Sequence, residues 1–157
     1  NVLKLAQGEY ISPERIENVY LGHLPWLAQA YVHGDSSKSH LVAILGIQPD
    51  AFAAWVSKVV GKEIKAEDAK ALEAAAQEER VRRAVVKELD KVGKRNKFNS
   101  YERVRGVRLL VEPFTIENEL LTPTLKLKRP QTAKKYREHL DLLYVETEAE
   151  GSPKAKL

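Results

Sequence analysis

Apolar residues along this chain change period several times, and each change marks an element. "VLKLA" and "YIS" are strand-like runs on either side of Gly8, which predicts a short N-terminal strand pair or one bent strand. Ser12 directly before Pro13 marks a helix start. Ile16, Val19 and Tyr20 form that helix's apolar face, and Gly22 is read as its end. "WLAQAYVHG" and "SHLVAILGI" predict a hairpin joined through "DSSK". Helical spacing then predicts a helix over 50–60, with Phe52, Trp55, Val56 and Val59 on one side. One long helix follows over about 66–94, with Val81, Val85, Leu89 and Val92 inward. "RVRGVRLLVEP" is a third core strand, stopped by Pro113, and "QTAKKYREHLDLLYVE" a closing helix. Residues after Thr147 are small and polar and predict a flexible tail over 147–157.

The sum is an α+β fold, a small, mostly antiparallel sheet of about three core strands plus the N-terminal strand pair, flanked by helices. It reads as one domain over 1–146, without internal repeat or linker.

Composition narrows the function classes. The 157 residues are 43% hydrophobic and 31% charged, as in a globular domain. No run of eighteen apolar residues exists to span a membrane. Without cysteine, neither a disulfide nor a thiolate site can be built. The absence of methionine and the opening in strand-like sequence read as a fragment whose missing part lies on the N-terminal side. A net charge of +4, concentrated in "KVGKRNKF" and "LKLKRPQTAKKYR", admits phosphate-bearing partners but is weak evidence for nucleic acid.

Most candidate chemistry has a simpler structural explanation. His23, His33, His40 and His139 are scattered without ligand spacing, so no metal site is assigned. Trp26 and Trp55 read as core or interface anchors. Two segments keep a sharper reading. "KLAQGEYISPERIE" places a glycine inside a strand pattern, where a bulge or a close approach is the usual cause. "LLTPTLKLKR" sets Lys126, Lys128 and Arg129 behind a Thr-Pro-Thr turn, either as a solvated basic turn or as charge delivered to a phosphate.

Together, these two segments resemble the C-terminal motifs of the adenylate-forming acyl-CoA synthetases, in the long-chain fatty-acyl branch. The resemblance covers Asn1 to about Glu146 and points to a fungal or other eukaryotic source. It implies a mobile C-terminal domain that closes over a larger N-terminal adenylation domain, which binds ATP, Mg²⁺ and the fatty acid. Lys126 aligns with the adenylation lysine, and Thr122, Thr124, Lys128 and Arg129 are supporting residues. Many relatives have Gly directly before that lysine; here it is Leu125. Gly8, with Lys4 and Glu9, would face the pantetheine arm of CoA after domain rotation. Ser12, Pro13 and Glu17 would hold the helix start. The family hinge would fall just before Asn1.

Two other readings remain open at this level. One is a basic module binding RNA or anionic lipid, for which an interleaved aromatic platform is lacking. The other is an interaction domain that inherited the motifs. No nucleic-acid partner is assigned, and peripheral membrane association of the full enzyme is compatible with the sequence. The ending "AKL" resembles a peroxisomal address; otherwise the enzyme would be cytoplasmic or peripheral on endoplasmic-reticulum or lipid-droplet membranes.

Overall fold

The computed structural model describes residues 2–151. Strands β1 (Leu3–Lys4) and β2 (Tyr10–Ile11) pair antiparallel around a turn in which Gly8 has φ 96°. Helix α1 (Pro13–His23) follows. Strands β3 (Leu27–His33) and β4 (Leu41–Ile47) form the expected antiparallel hairpin, with a bulge between Leu27 and Gln29. After α2 (Pro49–Val60), α3 (Ala69–Gln77) and α4 (Glu79–Arg95) comes β5 (Val104–Leu110). It lies parallel to β4, in the order β3-β4-β5. A parallel neighbour needs a crossover, and the three intervening helices supply it. Helices α5 (Arg129–Lys135) and α6 (Arg137–Gly151) close the domain.

Strand β4 is central and buried along its whole length, which is why "LVAILGI" shows no polar alternation. Its side chains still divide by parity. Leu41, Ala43, Leu45 and Ile47 enter a cluster with residues of α1 to α4. Val42 and Ile44 enter a second cluster with Tyr31, Phe114, Leu140, Leu143 and Tyr144. The sheet is therefore covered on both faces.

The structure corrects several boundaries. Helix α1 runs through Gly22 to His23, and Leu24 caps it through its N–H on the Tyr20 carbonyl (3.0 Å). Ser12 occupies the cap position without a side-chain capping bond, so the start rests on Pro13 and on Glu14 in the first turn. The single helix expected over 66–94 breaks at Glu78, which is extended (φ −64°, ψ 133°). Leu72 and Val81 are nine residues apart, about half a turn out of phase at 3.6 residues per turn. One straight helix could not bury both, and both are buried.

The closing helix is likewise two, parted at Tyr136 (φ −103°, ψ 18°). The tail expected from 147 starts too early, because α6 continues to Gly151. Buried Thr147 explains this: its hydroxyl donates to the Leu143 carbonyl (2.8 Å) and meets His40 Nε2 (2.7 Å). The "AKL" ending lies outside the described residues.

Candidate functional site

The second motif forms a small hairpin. Leu121 and Leu127 bridge at its base. Thr122 N–H donates to the Lys126 carbonyl (2.8 Å), and Leu125 N–H to the Thr122 carbonyl (2.8 Å). Thr122 Oγ1 accepts the Lys126 N–H (3.1 Å) and contacts Thr124 Oγ1 (3.1 Å), so both threonines shape the turn from within. Leu125 has φ 64°, a left-handed conformation in which glycine is at ease and leucine strained. A glycine directly before Lys126 would meet this conformation without strain, and here leucine adopts it.

Lys126 is exposed at the tip and has no ion-pair partner among the described residues. Beside it is a groove of about 490 Å³ lined by Glu14, Asn18, Leu21, Ala28, Gln29 and Leu125, among others. Lys128 is half-buried, and its N–H is fixed on the Leu120 carbonyl (2.8 Å).

Arg129, expected among the supporting cations, faces inward. Its guanidinium meets Glu17 by two bonds of 2.9 and 2.6 Å. Glu17 is only 3% exposed and also accepts the Val32 N–H (2.7 Å). Burial pushes its carboxyl above the usual range, against the pull of Arg129 and the Val32 N–H. Burial lowers Arg129, but the hydrogen bond and charge of Glu17 outweigh it and raise the guanidinium overall. The bidentate geometry is that of a carboxylate with a guanidinium. Glu17 therefore does more than hold a helix start: it ties α1 to β3 and to the root of α5.

The glycine turn of the first motif lies elsewhere. A Cβ placed on Gly8 would meet only Lys4 Cε, at 4.0 Å. The Lys4 ammonium sits 5.6 Å from the Tyr10 ring centroid. The Glu9 carbonyl accepts the Leu5 N–H (2.8 Å), closing the turn. Lys4, Gly8 and Glu9 thus share one turn, and none of them lines the groove beside Lys126.

Sequence reasoning missed a polar chain on the α6 side of the sheet. Tyr31 OH contacts His33 Nδ1 (2.7 Å), and His33 Nε2 meets Asp35 Oδ1 (2.8 Å). Arg137 lies against both, at 3.1 and 3.4 Å. Tyr144 OH donates to the His40 carbonyl (3.1 Å) and accepts the Asp35 N–H (3.2 Å). Burial lowers the pKa of both His33 and His40. Burial raises Asp35, but the hydrogen bond and charge of His33, with Arg137, hold it below its ordinary value. Among the described residues no group of three or more His, Cys, Asp or Glu could hold a metal ion.

No protein-family model matches the chain. It is 58% identical, over its whole length, to 22% of acyl-CoA ligase 891, peroxisomal, of Penicillium roqueforti. It is 41% identical, again over its whole length, to 21% of long chain acyl-CoA synthetase 7, peroxisomal, of Arabidopsis thaliana. Along its whole length the chain is homologous to a part of these acyl-CoA ligases. It spans about a fifth of the length of these curated relatives. In three dimensions it is similar to part of the A domain of carboxylic acid reductase from Segniliparus rugosus, a structure in complex with AMP and a co-purified carboxylic acid. The TM-score is 0.73 and the identity 32%, over 93% of this chain and 20% of that one. The matched region is a C-terminal part of these larger adenylate-forming proteins, and the α+β fold is that of their C-terminal domain. Among the described residues, no helix of this acyl-CoA ligase domain is long and apolar enough to cross a membrane.

Proposed function

We propose that this chain is the C-terminal cap of an ATP-dependent long-chain fatty-acid–CoA ligase and supplies the adenylation lysine, Lys126. The observation that carries this reading is an exposed lysine, without an ion-pair partner among the described residues, at the tip of a hairpin closed by Thr122–Lys126 and Leu121–Leu127 pairing. The fatty carboxylate attacks the α-phosphorus of ATP, pyrophosphate leaves, and an acyl-adenylate forms. Negative charge moves along the α-phosphate oxygens, where an ammonium with three donors stabilises the transition state. The CoA thiol then attacks the acyl carbon, and AMP leaves. The Gly8 turn, with Lys4 and Glu9, would face CoA in this second half-reaction. Its separation from the Lys126 groove supports two working faces, exchanged by domain rotation.

ATP, Mg²⁺ and fatty acid would be held mainly by an N-terminal adenylation domain, so the isolated chain should be inactive. The relatives named peroxisomal support that compartment for the full enzyme.

The test is Lys126→Ala in the full-length enzyme, with the half-reactions measured separately. Adenylate formation should fall by ~10²–10³, the usual loss for one preorganised transition-state contact. Thioester formation from supplied acyl-adenylate should persist. Retained adenylation would move the role to Lys128.

A further inference from the structure

The Lys126 hairpin is anchored at its C-terminal root to the helix of the first motif. Between Lys126 and Arg129 there is little slack: Leu127 bridges Leu121, and the Lys128 N–H is bound to the Leu120 carbonyl. Arg129 then locks onto Glu17, 112 residues away in sequence, by a two-bond fork. The fork is fixed in turn. Glu17 is held by the Val32 N–H (2.7 Å), and the Arg129 guanidinium lies 5.9 Å from the Tyr31 ring centroid. A buried pair of this kind adds little net stability over well-packed apolar residues. What a bidentate fork does supply is direction as well as distance.

We infer that Glu17 and Arg129 are positioning residues for adenylation, whose buried fork sets where the hairpin presents the Lys126 ammonium. This rests on the reading of Lys126 as the adenylation lysine. Glu17 and Arg129 line the base of the same groove as Lys126 but are paired with each other, so in this reading they act through that side chain. A displacement of about 1 Å at a reacting group costs up to ~10² in rate, so a fixed root has kinetic consequences at the tip.

The experiment uses the full-length enzyme with Arg129→Gln, Arg129→Lys and Glu17→Gln, each alone and combined with Lys126→Ala. Adenylate formation and thioester formation from supplied acyl-adenylate are measured separately, beside a urea unfolding curve. Arg129→Gln should lower kcat for adenylate formation by about tenfold or more, leave KM for ATP near wild type, and spare thioester formation. Arg129→Lys, which keeps the charge but not the fork, should recover only part of the loss. In the Lys126→Ala background, Arg129→Gln should cause no further loss, because the group it positions is gone. If Arg129→Gln does not fold, Glu17→Gln, of nearly the same shape, is read by the same criteria. Equal slowing of both half-reactions, or the same fold-loss with and without Lys126, would overturn the inference and leave a structural pair. Full adenylation by Lys126→Ala alone would instead remove the reading beneath it.

Discussion

Gln29 holds Phe114 by both backbone groups. Its Nε2 donates to the Phe114 carbonyl (2.9 Å), and its Oε1 accepts the Phe114 N–H (2.7 Å). The side-chain amide acts as one more step of a sheet ladder and pins the segment that leads to the Lys126 hairpin. Gly46 on β4 makes room for it: a Cβ there would lie 3.3 Å from Gln29 Cβ. Gln29→Leu keeps the size and removes both bonds. It should destabilise the domain by about 1–3 kcal/mol, since two partly buried backbone groups lose their partners. Urea unfolding measures this. Amide exchange at Phe114 should accelerate while that of β4 does not; unchanged exchange at Phe114 would show that the clamp holds nothing.

Leu125 offers a second test, because its side chain and its backbone make opposite demands. The side chain is 67% exposed, so little packing depends on it. The backbone, at φ 64°, costs a non-glycine residue about 1–2 kcal/mol. Leu125→Gly removes that strain but adds chain entropy of about 0.5–1 kcal/mol. The expected result is a stability unchanged or raised by up to about 1 kcal/mol. Leu125→Val should lower it, since β-branched residues tolerate positive φ poorly. Leu125→Ala should be neutral. A marked loss in Leu125→Ala by thermal melting would mean that the exposed leucine packs on something after all.

These two positions show what could be read from the sequence and what could not. The strand pair, the β3–β4 hairpin and β5 were legible because runs rich in β-branched and other apolar residues between turn residues are local signals. The break at Glu78 was legible in principle: Leu72 and Val81 fall on opposite sides of one ideal helix, although no Gly or Pro marks the change. The Glu17–Arg129 fork and the Gln29 clamp were not legible. Their partners lie 112 and 85 residues apart, and nothing local distinguishes a buried Glu from a solvated one. Thr147 was misjudged for the same reason, since its partner His40 is 107 residues away. Lys126 was picked out by resemblance; its isolation at a hairpin tip became visible only in the fold.

Gly8 needs a control because of its backbone. At φ 96° any side chain is strained, by about 1–2 kcal/mol, although a Cβ has room. Gly8→Ala and Gly8→Leu should therefore lose similar stability in a melting curve. Strain alone predicts equal thioester formation in both variants. A close approach of CoA predicts a further loss in Gly8→Leu, confined to that half-reaction. If the two variants match in both half-reactions, Gly8 serves the turn and not the substrate.

The last prediction concerns acid. His40 is 6% exposed, and burial, then the nearby positive charges of Arg105 and Lys38, lowers its pKa; Glu148 acts in the opposite sense. Thr147 already donates its hydroxyl to the Leu143 carbonyl, so His40 Nε2 must be the donor in their 2.7 Å contact. With Nε2–H as donor, Nδ1 is the site at which the neutral ring takes up a proton, and burial disfavours that uptake. A histidine with a depressed folded pKa binds fewer protons in the folded state than in the unfolded one. Stability therefore falls as pH drops below about 6.5, and continues to fall until the lowered folded value is reached. His33, also lowered, adds in the same direction, while Glu17, raised by burial, opposes it nearer the ordinary carboxylate value of 4.5. Urea midpoints for wild type should decrease between pH 7.5 and pH 5. In His40→Gln, which can still donate to Thr147, the drop should be smaller, with the pH 7.5 value changed by about 1 kcal/mol or less. An identical pH slope in both proteins would mean that His40 does not titrate on unfolding, and that the acid sensitivity lies with His33 and its partners.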